Sequence, residues 1–229
     1  ALVHALNADK EEIPYSKTLI TSQDLTLAKA KVSAGDQEII RQFIRDCSAG
    51  FDSGINKVIL INPNASELLI QRRWPPPHYV ELIKMILEKC PIALVLITGD
   101  PREREEAEQL KDQVSHHRCI NFAGKVRFAQ LPHLYSISEF MVTNDSGPGH
   151  FAAVTEMPTF VIFGPETPAL YGSLGKTTPI YAGLACSPCV SAANHRKTAC
   201  IDNVCLHVIK PAQVLKVINP HLERINAQG

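Results

Sequence analysis

Residues 139–154 read EFMVTNDSGPGHFAAV, and this stretch decides how the rest of the chain is interpreted. An apolar run ends at Val142, turn-forming polar residues follow, and His150 opens an apolar stretch with helical character. A plain connection from a strand to a helix needs only a turn residue and an N-cap. Asp145, Ser146 and two glycines supply more hydrogen-bonding groups than such a connection requires. The stretch therefore predicts a strand, a ligand-binding loop and a helix.

The same alternation extends in both directions from this stretch. Apolar runs predict six strands, at 57–61, 92–98, 118–123, 140–143, 159–164 and 178–183. Helical patterns lie between and after them, at 75–90, 101–114, 128–138, 149–156 and 211–218. Continuous apolar strands indicate a sheet covered on both faces, and alternation of strands with helices indicates parallel pairing. We predict an α/β fold, a doubly wound Rossmann-like parallel sheet of about six strands in the order 3-2-1-4-5-6.

The first fifty residues differ from the remainder. They are polar, contain no strong strand pattern, and place Ile39, Ile40, Phe43 and Ile44 at helical spacing. We interpret residues 1–50 as a helical tail or linker and residues 51–229 as one Rossmann-like domain.

Composition excludes several classes of protein. Lys and Arg number 23 and Asp and Glu number 23, and a formal charge of zero argues against broad nucleic-acid binding. No apolar run approaches the roughly 20 residues that span a bilayer, and the first residues show no secretory signal pattern. Seven cysteines are an odd number in a chain too large to need disulfide staples. We therefore expect a reducing, cytoplasmic compartment.

The order of the strands predicts where a ligand binds. In a doubly wound sheet, ligands bind beyond the carboxyl ends of the strands where the strand order reverses, here between strands 1 and 4. Strand 1 is followed by NPNAS (62–66), and strand 4 ends in TNDSGPGH (143–150). The two most unusual loops of the sequence are therefore predicted to lie side by side.

The loop after strand 4 has the chemistry of a phosphate and sugar site. Free N–H groups at a helix start suit a phosphate, and Gly147 allows a close approach of the backbone. Ser146 can donate its hydroxyl, and His150 can donate a ring N–H to a phosphate oxygen or a sugar hydroxyl. Asp145 suits a ribose or sugar hydroxyl. The alternative is a capping Asp or Ser beside a buried histidine with satisfied hydrogen bonds.

Two arginines just before the helix predicted at 75–90 add positive charge to the same edge of the sheet. An arginine fork can pair with a diphosphate in a bidentate manner, which makes Arg72 a candidate ligand residue. The alternative for Arg72 and Arg73 is solvated surface. We interpret Trp74, the only tryptophan, as a hydrophobic anchor for the helix that follows.

Four cysteines cluster near the end of the chain, at Cys186, Cys189, Cys200 and Cys205. The spacing C-x2-C followed by C-x4-C could surround a tetrahedral structural zinc ion. A loop of reduced thiols, or one joined by a disulfide, is the alternative. Four cysteine ligands would close the coordination shell, so metal chemistry is not expected here.

Five motifs occur in the order of a known family: INPNAS with RRWP, LVLITGDPRE, NFAGKV, VTNDSGPGHFAA and PTFVIFGPETPALYG. They resemble the carboxyl-terminal half of glycosyltransferase family 9, the ADP-heptose:lipopolysaccharide heptosyltransferases and their relatives. The resemblance covers roughly residues 57–220. It implies one half of a GT-B fold and the donor-binding half of an inverting enzyme of lipopolysaccharide synthesis.

The resemblance also implies a set of donor-binding residues: Asn64, Arg72, Gly99, Asp145, Ser146, Gly147 and His150. Asn64 stands where the family often has glycine, and Arg72 where it often has lysine. The donor would be a nucleotide-diphosphate sugar similar to ADP-heptose, with no cofactor required. An amino-terminal domain absent from these residues would supply the catalytic base and bind a lipopolysaccharide-type acceptor. The expected location is the cytoplasm, or the inner face of the bacterial cytoplasmic membrane as a peripheral protein.

Two other functions compete with a donor-binding domain. An NAD-type oxidoreductase domain would share the fold, but no G-x-G-x-x-G follows strand 1. A non-enzymatic interaction module stabilised by zinc would account for the cysteines without a donor site.

Overall fold

The computed structural model of the protein describes residues 26–65 and 67–227. Its centre is a six-stranded sheet in the order β3-β2-β1-β4-β5-β6, and every neighbouring pair of strands is parallel. The strands are β1 (Lys57–Asn62), β2 (Ala93–Ile97), β3 (Cys119–Asn121), β4 (Ser138–Asn144), β5 (Thr159–Phe163) and β6 (Thr177–Tyr181). The order and the direction confirm the predicted doubly wound sheet.

Eight α-helices are present in the described part of the chain. They are α1 (Ala34–Cys47), α2 (Pro76–Lys89), α3 (Arg104–Val114), α4 (Leu131–Ser136), α5 (Gly147–Phe151), α6 (Pro168–Tyr171), α7 (Val204–His207) and α8 (Pro211–Asn226). Short 3₁₀ turns occupy Glu67–Arg72, Pro101–Glu103, Phe128–Gln130, Ala152–Val154 and Ala192–Asn194. No helix among the described residues is long and apolar enough to cross a membrane.

The sheet separates two apolar layers. Ile59 and Ile61 of β1 face the layer built from α2, α3 and α8, while Val58 and Leu60 face the layer that contains α1 and α4. Successive side chains of a strand point to opposite faces, so a strand covered on both faces must be apolar at every position. This is why β1, β2 and β5 read as continuous apolar runs rather than as alternating ones.

The helix α1 belongs to the second of these layers. Ser33 caps its first turn through a reciprocal pair of hydrogen bonds with Asp36. Ile40 and Ile44 are fully buried, which confirms the helical spacing seen in the sequence. The first 25 residues of the predicted tail lie outside the described residues, and the domain boundary at residue 50 stays a prediction.

Three predicted helices differ from the structure, and the one expected over 128–138 is a 3₁₀ turn at Phe128–Gln130 followed by α4. The helix expected over 149–156 is α5, which ends at Phe151 and continues only as a 3₁₀ turn, because Thr155 donates both its backbone N–H and its hydroxyl to the Ala152 carbonyl. The helix expected over 211–218 runs on to Asn226, with Pro220 inside it. Leu222 and Ile225 continue the buried stripe past the proline, and their burial outweighs the loss of one backbone hydrogen bond.

Candidate functional site

Strands β1 and β4 are neighbours at the centre of the sheet, so the loops that follow them meet at its carboxyl edge. A cavity of about 970 Å³ opens there. Five of the predicted donor-binding residues line it: Asn64, Gly99, Ser146, Gly147 and His150. Arg72 and Asp145 do not line this cavity and lie in an adjoining polar cluster described below.

One wall of the cavity is aromatic and apolar. Phe128 is 70% exposed, and its ring packs against Phe151 with the centroids 4.5 Å apart. Phe122, Val126 and Tyr135 complete this wall. Sequence reasoning missed Phe128, which it placed inside a helix. An exposed aromatic ring facing a cavity can carry a flat ligand group by stacking.

Two glycines shape the cavity in ways that the sequence did not distinguish. A Cβ atom at Gly99 would lie 2.8 Å from Glu103 Oε2 and 3.1 Å from Asn64 Nδ2, so a side chain at this position would displace both polar groups. A Cβ atom at Gly149 would lie 3.2 Å from methyl groups of Thr143 and Val161, so Gly149 sets the close packing of α5 on the sheet. Gly147, the predicted site of close approach, faces open space on the cavity side.

The loop that leads from β4 to α5 does not cap the helix with a side chain. The Ser146 hydroxyl donates to the Asn144 carbonyl at 3.2 Å and lies 3.3 Å from the Thr143 hydroxyl. The helix α5 has five residues, so the dipole invoked for phosphate binding is smaller than the sequence suggested. A phosphate bound at this edge would therefore depend mainly on side chains.

His150 connects the cavity to the polar cluster. Its ring is about half exposed, and Nε2 lies 3.5 Å from Asp145 Oδ1. Nδ1 lies 3.1 Å from the Ser173 hydroxyl. Both ring nitrogens thus have a polar neighbour, and the half-exposed ring lines the cavity, which suits a group that orients a ligand.

The polar cluster consists of Arg72, Asp145, Glu166 and Arg196. Glu166 is the third residue after the end of β5, and its side chain is 1% exposed. Arg72 Nη1 lies 3.4 Å from Glu166 Oε2, and Arg196 Nε lies 3.6 Å from Glu166 Oε1. Asp145 is 2% exposed and contacts the Glu166 carboxyl group. The structure therefore places Arg72 and Asp145 together, as predicted for one site, and adds two residues that sequence reasoning missed.

With both carboxyl groups ionised, several polar atoms of this cluster are buried without a hydrogen-bond partner among the described residues. They are Arg72 Nε, Asp145 Oδ2 and Glu166 Oε1. Leaving such groups unpaired costs free energy, and native proteins rarely tolerate it without a reason. A polar ligand that donates and accepts hydrogen bonds at this place would remove the cost.

The carboxyl groups of Asp145 and Glu166 influence each other's protonation. Burial raises the pKa of Glu166 above its ordinary value, and a hydrogen bond to Asp145 and the charge of Asp145 raise it further. Arg72 and Arg196 act in the opposite direction and lower it. Two carboxylates this close cannot both ionise freely, so a proton on Glu166 lets its hydroxyl donate to Asp145.

Arg73 and Trp74 have architectural roles. Arg73 donates to the Ala65 carbonyl at 3.1 Å and pairs with Glu106 of α3 at 3.2 Å. The Trp74 side chain is 1% exposed, and its indole N–H donates to the Ile209 carbonyl at 2.9 Å. The predicted anchoring role of Trp74 is confirmed.

The cysteine loop, residues 184–203, carries three of the four clustered cysteines, and Cys205 follows it. All four are free thiols. Burial, and to a smaller extent the nearby thiols of Cys189, Cys200 and Cys186, raise the pKa of Cys205 to about 11. No group of three or more histidine, cysteine, aspartate or glutamate side chains among the described residues could hold a metal ion. The predicted zinc site thus finds no support in this arrangement and stays a prediction, which metal analysis of the purified chain would test.

The chain is similar in sequence to proteins of one glycosyltransferase family. The sequence profile of Glycosyltransferase family 9 (heptosyltransferase) matches residues 5–199. The Lipopolysaccharide heptosyltransferase 2 of Salmonella typhimurium is 29% identical over 72% of this chain and 45% of its own length. The chain spans about half the length of the curated relatives it matches.

Solved structures share the fold. The E. coli ADP-heptose lps heptosyltransferase II is 25% identical, with a TM-score of 0.66 over 89% of this chain and 57% of that one. The E. coli heptosyltransferase WaaC with ADP is 17% identical, with a TM-score of 0.54 over 76% of this chain and 47% of that one. The family profile covers most of the chain, and it is the profile of a glycosyltransferase family rather than of an oxidoreductase or a zinc-stabilised interaction module. The chain belongs to glycosyltransferase family 9, the heptosyltransferase family.

Proposed function

We propose that this chain is the donor-binding half of an inverting heptosyltransferase of lipopolysaccharide synthesis, and that its donor is a nucleotide-diphosphate sugar similar to ADP-heptose. The observation that carries the proposal is the continuity between the cavity and the polar cluster, which share the segment from Asp145 to His150. A nucleotide sugar has the same sequence of parts, an aromatic base, a charged diphosphate and a polyhydroxyl sugar.

Each part of the donor has a matching part of the site. The base would lie against Phe128 in the apolar wall, and the diphosphate would meet Arg72 and His150. Sugar hydroxyls would donate to Asp145, whose Oδ2 is buried and unpaired. The E. coli heptosyltransferase WaaC has the same fold, and its structure is one with ADP. This supports a nucleotide diphosphate as the class of ligand.

In the proposed reaction, the acceptor hydroxyl attacks the anomeric carbon from the side opposite the diphosphate. A new carbon–oxygen bond forms, the bond to the diphosphate breaks, and the diphosphate leaves with the electron pair. Arg72 and His150 would stabilise the charge that develops on the leaving group. The proton of the acceptor hydroxyl goes to a base that we place in the other half of the protein, so no catalytic base is assigned here. This displacement needs no redox cofactor.

We also propose that the acceptor is of the lipopolysaccharide type and is bound by that other half. Such an acceptor is held in a membrane, so we expect the protein to act at the inner face of the bacterial cytoplasmic membrane. This part of the proposal is supported by the names of the relatives, which are lipopolysaccharide and lipooligosaccharide heptosyltransferases.

Calorimetric titration with ADP, UDP, GDP and adenosine tests the donor proposal. We expect ADP to bind, adenosine to bind more weakly, and the two other diphosphates to bind no better than ADP. A chain that binds none of the diphosphates has no donor site, and the proposal would then be wrong.

A sugar-transfer assay tests whether this half only binds the donor while the other half supplies the base and the acceptor site. General-base catalysis contributes about 10²- to 10⁴-fold, and positioning of the acceptor contributes more. We therefore expect these 229 residues to bind the donor but to transfer sugar negligibly, and we expect activity once the other half is supplied. Efficient transfer by these residues alone would show that they hold the base and the acceptor site.

A further inference from the structure

Glu166 is the centre of an arrangement that the proposed function uses only in part. It is a buried carboxylate with a different arginine on each oxygen, Arg72 at 3.4 Å and Arg196 at 3.6 Å. The two arginines lie more than a hundred positions apart in the sequence. The donor site described above includes Arg72 and leaves Arg196 without a role.

The cysteine loop that carries Arg196 is fastened to both sides of the polar cluster. The backbone N–H groups of Cys189 and Val190 donate to the Pro165 carbonyl, at 2.9 and 3.0 Å, beside Glu166. The Asn203 amide donates to the Gln71 carbonyl at 2.7 Å, beside Arg72. The loop is therefore hydrogen-bonded to Pro165, which precedes Glu166, and to Gln71, which precedes Arg72.

The backbone at Arg196 adopts a conformation that side-chain-bearing residues usually avoid. His195 and Arg196 have φ values of 56° and 55°, in the left-handed region. Neither residue is a glycine, and left-handed residues that persist without one tend to be over-determined by their surroundings and to lie at functional sites. The turn brings the guanidinium over the Tyr171 ring, 5.6 Å from its centroid, and back to Glu166.

The residues of the polar cluster differ in their access to solvent. The Arg196 side chain is 52% exposed, whereas the Glu166 side chain beneath it is 1% exposed. An anion can therefore reach Arg196 from solvent but cannot reach it from below. Beside it, Arg72 Nε is buried and unpaired among the described residues, so the Arg72 guanidinium also retains donor capacity. Arginine is the side chain best suited to bidentate phosphate binding.

We propose that Arg196 is a second diphosphate-binding residue of the donor site, and that Glu166 holds Arg72 and Arg196 as a pair when no donor is bound. This inference rests on the proposed function. With two arginines on one carboxylate, each phosphate of a diphosphate meets its own guanidinium. The cysteine loop then forms part of the donor site, because it supplies one of the two arginines.

The experiment is calorimetry on the full chain with ADP, AMP and adenosine. The variants are Arg196→Ala, Arg196→Lys and, as a matched control, Lys197→Ala. Lys197 is an exposed residue of the same charge on the same loop, with no ion pair to the cluster among the described residues. Loss of a charge-assisted hydrogen bond weakens binding roughly 10- to 150-fold. We expect Arg196→Ala to weaken ADP binding by about tenfold or more within that range, Arg196→Lys to weaken it less, and Lys197→Ala to leave it unchanged.

Adenosine separates a phosphate contact from a structural effect. We expect its affinity to be the same in all four proteins, and we expect AMP to be affected less than ADP. Equal ADP affinity in Arg196→Ala and Lys197→Ala would overturn the inference and leave the proposed function standing. An equal loss for adenosine and ADP would also overturn it, since Arg196 would then only support the loop. Failure of the unmodified chain to bind ADP would defeat the proposed function itself.

Discussion

Asn144 and Asp145 are adjacent residues at the end of β4, both are buried, and their side chains have nearly the same shape, yet their surroundings differ completely. The Asn144 amide uses every group it has. Its oxygen accepts from the backbone N–H of Trp74 and from the Tyr79 hydroxyl, both at 2.9 Å, and its nitrogen donates to the Pro63 carbonyl at 2.6 Å. Asp145, by contrast, keeps one carboxylate oxygen buried and unpaired.

The difference separates architecture from ligand binding within two residues. Asn144 joins the loop after β1, the start of α2 and the end of β4, and nothing further can bind to it. Asp145 belongs to a cluster with unpaired atoms on Arg72 and Glu166 as well. A buried polar group that is fully paired stabilises the fold, whereas one that is left unpaired reduces stability and calls for a partner. The unpaired member of the two is therefore the better candidate for donor binding.

The largest effect that this comparison predicts is on stability. Asn144→Ala removes the partner of two buried donors and should lower the free energy of unfolding by on the order of 3 kcal/mol. Asp145→Asn keeps the shape and removes a charge from a crowded cluster, so it should change stability by less than about 1 kcal/mol. Urea denaturation of both variants measures the two values. Equal losses would mean that Asp145 is as structural as its neighbour.

The second effect is on donor affinity and compares two adjacent arginines. Arg72→Ala and His150→Ala should each weaken ADP binding roughly 10- to 150-fold, because each removes a charge-assisted hydrogen bond. Arg73→Ala is the control, since Arg73 pairs with Ala65 and the exposed Glu106 away from the polar cluster. Calorimetry gives the three affinities. If Arg73→Ala proves as damaging as Arg72→Ala, the assignment of the diphosphate to Arg72 is incorrect.

The third prediction uses the raised pKa of Glu166. The folded carboxyl keeps its proton above the ordinary pKa of 4.5, where the unfolded carboxyl has already lost it. The folded state therefore binds more protons in this window, and the contribution of Glu166 to stability falls as the pH rises. Glu166→Gln is neutral at every pH. Its melting temperature relative to the unmodified chain should rise as the pH increases above about 4.5.

A difference in melting temperature that stays constant across this range would contradict the raised pKa. A difference that falls with increasing pH would mean that the two arginines outweigh burial and Asp145. Differential scanning calorimetry in matched buffers of constant ionic strength distinguishes these outcomes.

The smallest predicted effect concerns the apolar wall. Phe128 is 70% exposed, so Phe128→Ala should leave the free energy of unfolding nearly unchanged. Aromatic stacking contributes about 0.5–1.5 kcal/mol, so adenosine and ADP should both bind roughly 2- to 10-fold more weakly. Equal losses of affinity for adenosine and ADP would indicate that Phe128 contacts the base. A loss confined to ADP would place Phe128 near the phosphates instead.

The fold was largely predictable because its signals are local and repeated. Each of the six strands is a continuous apolar run or a short apolar segment, and the order 3-2-1-4-5-6 follows from the parallel α/β pattern. The larger errors fell on the helices after β4 and at the end of the chain. Side-chain hydrogen bonds from Thr155 ended the first early, and buried residues beyond Pro220 prolonged the second.

The site was predictable where a residue is unusual in its own loop and not where it depends on a distant partner. Asp145, Ser146 and His150 stood out as a dense polar run after a strand. Glu166 is a single acid after Gly-Pro, and its importance arises only when Arg72 and Arg196 converge on it. The one available signal was its position in the loop after β5, at the edge of the sheet where ligands bind.

The hydrogen bond from the Trp74 indole to the Ile209 carbonyl has a consequence for the order in which the chain can fold. During synthesis, Trp74 emerges from the ribosome 135 residues before its acceptor. Until then the segment that carries Arg72 and joins Asn144 lacks its buried anchor. We therefore expect the proposed donor site to be among the last parts of the protein to form, and nascent chains that stop short of Ile209 to have an assembled sheet without a competent site.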